Sequence, residues 1–120
     1  MAYVEGFLIP VPRAKRGDYE AQARAAAPMF LEFGATRIVE CWSDDIKHGR
    51  TTDFFRSVQA TEDEDVVFSW IEYPDRAARD AANERMMSDP RFEALGEMPF
   101  DGKRMIMGGF AVLLDSAAEG

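Results

Sequence analysis

Two segments of this chain, 66–73 (VVFSWIEY) and 104–114 (RMIMGGFAVLL), read as β-strands that are apolar on both faces. Successive side chains of a strand point to opposite sides of its sheet. In the first segment Val66, Phe68 and Trp70 oppose Val67, Ile71 and Tyr73; in the second, Met105, Met107 and Leu113 oppose Ile106, Phe110, Val112 and Leu114. A sheet built from such strands needs cover on both sides. The chain offers only two long helical patterns, enough for one face. An apolar face left open would be too large for a soluble monomer. A second copy of the same sheet is the expected cover, which predicts a homodimer packed sheet to sheet.

The remaining segments fill in the order. Residues 3–11 (YVEGFLIPV) are rich in β-branched and aromatic residues and form a first strand, with Pro10 and Pro12 marking its end near a sheet edge. Residues 15–33 place Tyr19, Ala23, Ala26, Ala27, Phe30 and Phe33 on one helical stripe, with Pro28 inside it and Gly34 as the stop. A second strand is expected at 35–43, a polar loop at 44–52 and a weaker strand at 53–60 (DFFRSVQA). After the strand at 66–73, Asp75 caps a second helix to about residue 87, and Asp89-Pro90 opens a short helical turn that Gly96 ends. Gly108 and Gly109 mark a bulge or a close backbone approach in the last strand. The fold class is α+β: a ferredoxin-like split βαβ sandwich with an additional middle strand and two main helices on one face of an antiparallel sheet. One domain is expected over 1–115, with a flexible tail at 116–120.

The motifs VECWSDD, FSWIEYP, RDAANERMMSDPR and MPFDGKRMIMGGF resemble the YbaA-like bacterial proteins, a family of unknown function in the dimeric α/β-barrel superfamily. The resemblance runs over residues 3–115. It implies a ferredoxin-like protomer that pairs through its sheet, and it implies no particular reaction. Other members of that superfamily include cofactor-independent monooxygenases, haem-degrading enzymes, isomerases and ligand-binding regulators, so the fold by itself is a weak guide to function.

Charge narrows the partners. With 22 acids against 14 bases the net charge is −8, and the bases are scattered. Such a surface repels phosphate backbones and anionic lipid, so neither nucleic acid nor membrane is an expected partner. The single cysteine allows no internal disulfide and suits a reducing compartment. No signal-like segment or apolar span is visible, and the expected location is cytoplasmic.

Residues 39–49 (VECWSDDIKHG) gather the only cysteine, the only histidine and one of two tryptophans. Cys41, Asp44, Asp45 and His48 are suitable metal-ligand types, but their spacing matches no zinc site and no second cysteine or histidine exists to complete one. No metal or cofactor is expected. Cys41 reads as a small buried hydrophobe on the face of Arg37 and Val39, opposite Glu40 and Trp42. His48 belongs to a solvated loop without a nucleophile-elbow pattern.

A mirror relation between ECW and WIE is more informative. Glu40 and Trp42 share a face of one strand, Trp70 and Glu72 share a face of another, and a meander through 53–60 would put Arg56 between the two carboxylates. Were the two tryptophan strands direct neighbours in matched register, Glu40 would instead face Glu72. Glu40, Trp42, Arg56, Trp70 and Glu72 are therefore the candidate substrate-binding residues, with no catalytic residue assigned. One reading is a polar cluster on an aromatic wall that orients a small organic substrate and moves a proton, as in a cofactor-independent oxygenase or an isomerase. The other is a structural network in a non-catalytic binding or regulatory dimer, since charge networks form without catalysis. The polar face of the second helix, Arg76, Arg79, Asp80 and Asn83, reads as solvated.

Overall fold

Four strands pair antiparallel in the order β2-β3-β1-β4: β1 is Tyr3–Pro12, β2 Arg37–Trp42, β3 Glu64–Tyr73 and β4 Ile106–Ala111. The computed structural model describes residues 2–117; of the expected tail, 118–120 lie outside the described residues. Two main helices, α1 (Arg16–Glu32) and α3 (Arg76–Ser88), occupy the two crossovers, giving the ferredoxin-like βαββαβ order.

Local chemistry explains the boundaries. Helix α1 runs through Pro28 and ends at Gly34, whose φ of +121° is open to a residue without a Cβ. The Asp75 side chain accepts from the Ala78 N–H at 2.8 Å and starts α3. Asp89 accepts from the Arg91 N–H at 2.9 Å, with Pro90 as first residue of the short α4 (Pro90–Glu93).

Both main helices cover one face. Met29 of α1, Phe33 just beyond its end and Ala82 of α3 are buried against Ile71 and Tyr73 of β3. Ile9, Val11, Tyr19 and Val67 form a second buried group on the same side. The other face carries Val4, Gly6 and Leu8 of β1, Phe68 and Trp70 of β3, and Ile106, Gly108 and Phe110 of β4, as the register requires. Phe110 is 63% exposed and Phe68 47%, so this face is apolar and largely bare in the protomer. Gly6 and Gly108 stand opposite each other across β1 and β4, and the missing side chains leave a trough of about 660 Å³.

Three expectations are corrected. Residues 53–60 are no strand: Asp53 caps a single helical turn, α2 (Phe54–Ser57), accepting from the Arg56 N–H at 2.8 Å. Phe54, Phe55 and Val58 have the i, i+1, i+4 spacing of one helical face, and the aspartate before them is a helix start signal. Helix α2 folds over the open face at its Pro10–Val66 end, where Pro10, Val58 and Val66 are fully buried. The last strand is shorter than 104–114 and unbulged: its register with β1 is continuous from Ile106 to Ala111. Close approach is what the glycines serve, because a Cβ on Gly109 would lie 2.3 Å from the Tyr3 hydroxyl. Cys41 does lie opposite Glu40 and Trp42, but on the edge strand β2 it is exposed rather than buried.

Candidate functional site

β2 and β3 are direct neighbours, and their register decides which candidates meet. Ile38 stands opposite Ile71, Glu40 opposite Ser69 and Trp42 opposite Val67, all on the helix-covered side. Trp70 and Glu72 alternate to the open face, where Arg37 stands opposite Glu72. The five candidate residues are therefore divided by the sheet. Glu72 accepts a hydrogen bond from the Trp70 indole at 2.8 Å and lies 3.7 Å from the Arg37 guanidinium. Arg56 is on neither face of that wall: it sits on α2, donates to the Arg50 carbonyl at 3.0 Å and lies 3.8 Å from Asp53. No Glu40–Arg56–Glu72 sandwich forms, and Glu40 does not face Glu72.

Glu40 and Trp42 instead line a cleft of about 440 Å³ between α1 and β2. Helix α1 contributes Arg16, Tyr19 and Ala23 to it. The Tyr19 hydroxyl donates to Glu40 Oε1 at 2.6 Å, a short contact of the kind formed with charged or strongly polarised acceptors. The Tyr19 ring meets the Trp42 indole edge to face, with centroids 6.3 Å apart. Trp42 is fixed in turn by its indole N–H, which donates to Asp65 at 2.8 Å. The Arg16 guanidinium lies over the indole, 5.1 Å from the ring centroid.

The electrostatics follow from this packing. Glu40 keeps part of its surface exposed on the edge strand, but loss of water around its carboxylate raises its pKa. Hydrogen bonds from Tyr19 and Ser69 pull the other way, and burial prevails. Tyr19 is raised far above an ordinary phenol, first by burial and then by the neighbouring Glu40 charge, so it remains a neutral donor. A carboxyl whose folded pKa is raised stabilises the fold fully below its unfolded pKa and loses that contribution as pH rises through the folded value. Glu40→Gln is thus expected to gain stability relative to the native chain as pH rises above the ordinary carboxylate range. Urea unfolding at several pH values checks this; a difference that does not change with pH would show that Glu40 ionises without cost.

A second polar group went unread in the sequence. Glu5 is 3% exposed at an inward position of β1, and Arg79 of α3 reaches it at 2.7 Å while also donating to the Tyr3 hydroxyl at 3.2 Å. Arg79 therefore does not belong to a solvated helix face. Beside this pair the Tyr73 hydroxyl is buried without a hydrogen-bond partner among the described residues, and burial, then the Glu5 charge, push it up to about 12. An acid between Tyr3 and Phe7 on an inward face was the available signal, because a buried carboxylate demands a cation.

His48 is exposed, stacks on Phe55 with centroids 4.6 Å apart, and lies 3.7 Å from Asp53. Among the described residues no group of three or more His, Cys, Asp or Glu side chains is placed to hold a metal, and no helix is long and apolar enough to cross a membrane.

The profile of a protein family of unknown function, DUF1428, matches residues 2–102. This chain belongs to the DUF1428 family. It is 59% identical over 116 residues to the uncharacterized protein YbaA of Escherichia coli K12, covering 96% of this chain and 99% of that one, and equally similar to YbaA of Shigella flexneri. Among solved structures, a dimeric ferredoxin-like protein from an uncultured marine organism superposes with a TM-score of 0.61 at 11% identity, over 95% of this chain and 97% of the other. An uncharacterized NIPSNAP domain protein from Burkholderia xenovorans gives 0.54 at 18% identity, over 92% and 93%. At these identities the structural likeness shows the ferredoxin-like fold of this DUF1428 member and nothing finer.

Proposed function

We propose that this DUF1428 protein is a homodimer in which each protomer binds a small organic molecule in the α1/β2 cleft, with Glu40 and Tyr19 acting on one of its protons. The observation that carries this reading is the 2.6 Å Tyr19–Glu40 hydrogen bond on the wall of that cleft. Desolvation brings Glu40 closer to neutral than an ordinary glutamate, the condition for a general base, while Tyr19 stays a neutral donor able to hold a developing oxyanion. Glu40 takes a proton from a carbon beside a carbonyl, the Tyr19 hydroxyl hydrogen-bonds the enolate oxygen, and return of the proton to a different carbon completes an isomerisation. Trp42 supplies the flat wall against which the substrate lies. The dimer is supported by the bare apolar face and by the dimeric assembly of the ferredoxin-like relative. Trp70 and Glu72, together with Arg37 on that face, fit the structural reading: an interface network rather than a substrate wall.

The test begins with native mass spectrometry of protein purified from its own host, which is expected to show a dimer retaining one small molecule per protomer. In deuterated water the retained compound is expected to take up deuterium on the native protein and not on Glu40→Gln. A protein with nothing retained, or exchange that persists in Glu40→Gln, would return the Tyr19–Glu40 pair to a purely structural role.

A further inference from the structure

The charges around the cleft are unevenly satisfied. Arg16, Glu20, Arg24 and Glu40 all line it. Arg24 and Glu20 neutralise each other one helical turn apart at 2.9 Å. Glu40 is engaged by Tyr19. Arg16 forms no ion pair among the described residues; its guanidinium lies over the Trp42 indole. In a chain of net charge −8, an unpaired guanidinium on a cleft wall stands out against its surroundings. A cation–π contact with an indole does not consume the guanidinium N–H donors, which remain available to a bidentate acceptor. The neighbouring surface is short and aliphatic, with Ala23, Ala27, Ile38 and Val67 in the lining.

We infer that the cleft selects a small organic carboxylate, whose acid group pairs with Arg16 while its carbon skeleton lies along Trp42 and the alanines of α1 toward the Tyr19–Glu40 pair. This rests on the cleft being the ligand site. The geometry divides the labour: Arg16 at one end fixes the carboxylate, and the hydrogen-bonded pair addresses the rest of the molecule. Glu20 is held by Arg24 and Glu40 by the Tyr19 hydroxyl, which leaves Arg16 as the cleft's open charge.

Matched probes test this: benzoate against benzamide and hexanoate against hexanamide, titrated into the full chain and read by NMR at the Trp42 indole N–H, which is distinguished from Trp70 by a Trp70→Phe sample. The carboxylates are expected to bind about tenfold more tightly than their amides, the value of one charge-assisted contact. Arg16→Gln should erase that preference while leaving amide binding in place, and Arg76→Gln, on α3 outside the cleft lining, should leave the preference unchanged. Arg16 is exposed, so its replacement does not endanger the fold. Equal binding of acids and amides, or a preference that survives Arg16→Gln, overturns the carboxylate assignment and leaves the cleft reading standing. Absence of any response at Trp42 to either series overturns both.

Discussion

Arg79→Met is expected to destabilise the fold by about 3 kcal/mol, the cost of leaving a buried carboxylate without its cation. Glu5 is 3% exposed and the Arg79 side chain 14%, so water cannot replace the lost guanidinium at the carboxylate. The same substitution strips the Tyr3 hydroxyl of its donor and its ring of a cation 4.9 Å from the centroid. The penalty belongs to the orphaned charge, because the Coulombic gain of such a pair roughly offsets its desolvation. Accordingly the double variant Glu5→Leu/Arg79→Met, which replaces the pair by apolar groups of similar size, is expected to recover to within about 1 kcal/mol of the native chain. Gly109→Ala should act in the same direction as Arg79→Met, since its Cβ would lie 2.3 Å from the Tyr3 hydroxyl and 2.8 Å from an Arg79 nitrogen. Denaturant unfolding at fixed protein concentration reads all three. A loss below about 1 kcal/mol for Arg79→Met would mean that Glu5 does not depend on it.

The same pair shows where the sequence was legible and where it was not. Apart from the expected middle strand at 53–60, the element order, the two helix caps at Asp75 and Asp89 and the stop at Gly34 follow from local chemistry, and the structure has them. The two-faced strands were equally readable, because alternation needs no knowledge of neighbours. Glu5 and Arg79 lie far apart in sequence, and only the packing of α3 on β1 brings them together. The site failed at a finer step. ECW and WIE share a face if Glu40 stands level with Trp70 or Glu72; the observed register sets it level with Ser69, and one residue of offset moves every side chain to the other side. Strand β2 has an apolar residue on each face, Ile38 inward and Val39 outward, so its pattern could not decide between the two registers. Tyr19 was readable as core but not as a donor, since its hydroxyl acquires a partner only when that register is known. Arg56 was misplaced for a different reason: DFFRSVQA has strand-like composition, yet Asp53 captures the Arg56 N–H and starts a helical turn before pairing can begin.

Phe110→Glu is expected to convert the proposed homodimer to monomers, weakening association by at least about a thousandfold. Phe110 lies on the open face, opposite Val4, with its ring 3.6 Å from the positions that Cβ atoms on Gly6 and Gly108 would take. It is 63% exposed in the protomer, so a carboxylate there remains solvated in the monomer and the fold is kept. In a sheet-to-sheet dimer that carboxylate would be enclosed among Leu8, Phe68, Trp70 and Ile106, a lining that holds no cation, while Arg37 on the same face is engaged by Glu72. Two-fold symmetry applies the penalty twice, once from each copy. Several kcal/mol per buried unpaired charge, doubled, exceeds the roughly 4 kcal/mol that separates a nanomolar from a micromolar dimer. Met87→Glu, on the outer side of α3 at 88% exposure, adds the same charge where no partner sheet can reach and is expected to leave the dimer intact. Sedimentation velocity across a dilution series separates the outcomes. A Phe110→Glu protein that remains dimeric would place the interface elsewhere, while a native chain already monomeric at micromolar concentration would mean that the bare sheet is covered by something other than its own copy. Because the cleft lies on the helix-covered side, monomeric Phe110→Glu should still respond to benzoate at Trp42, which separates the role of the open face from that of the site.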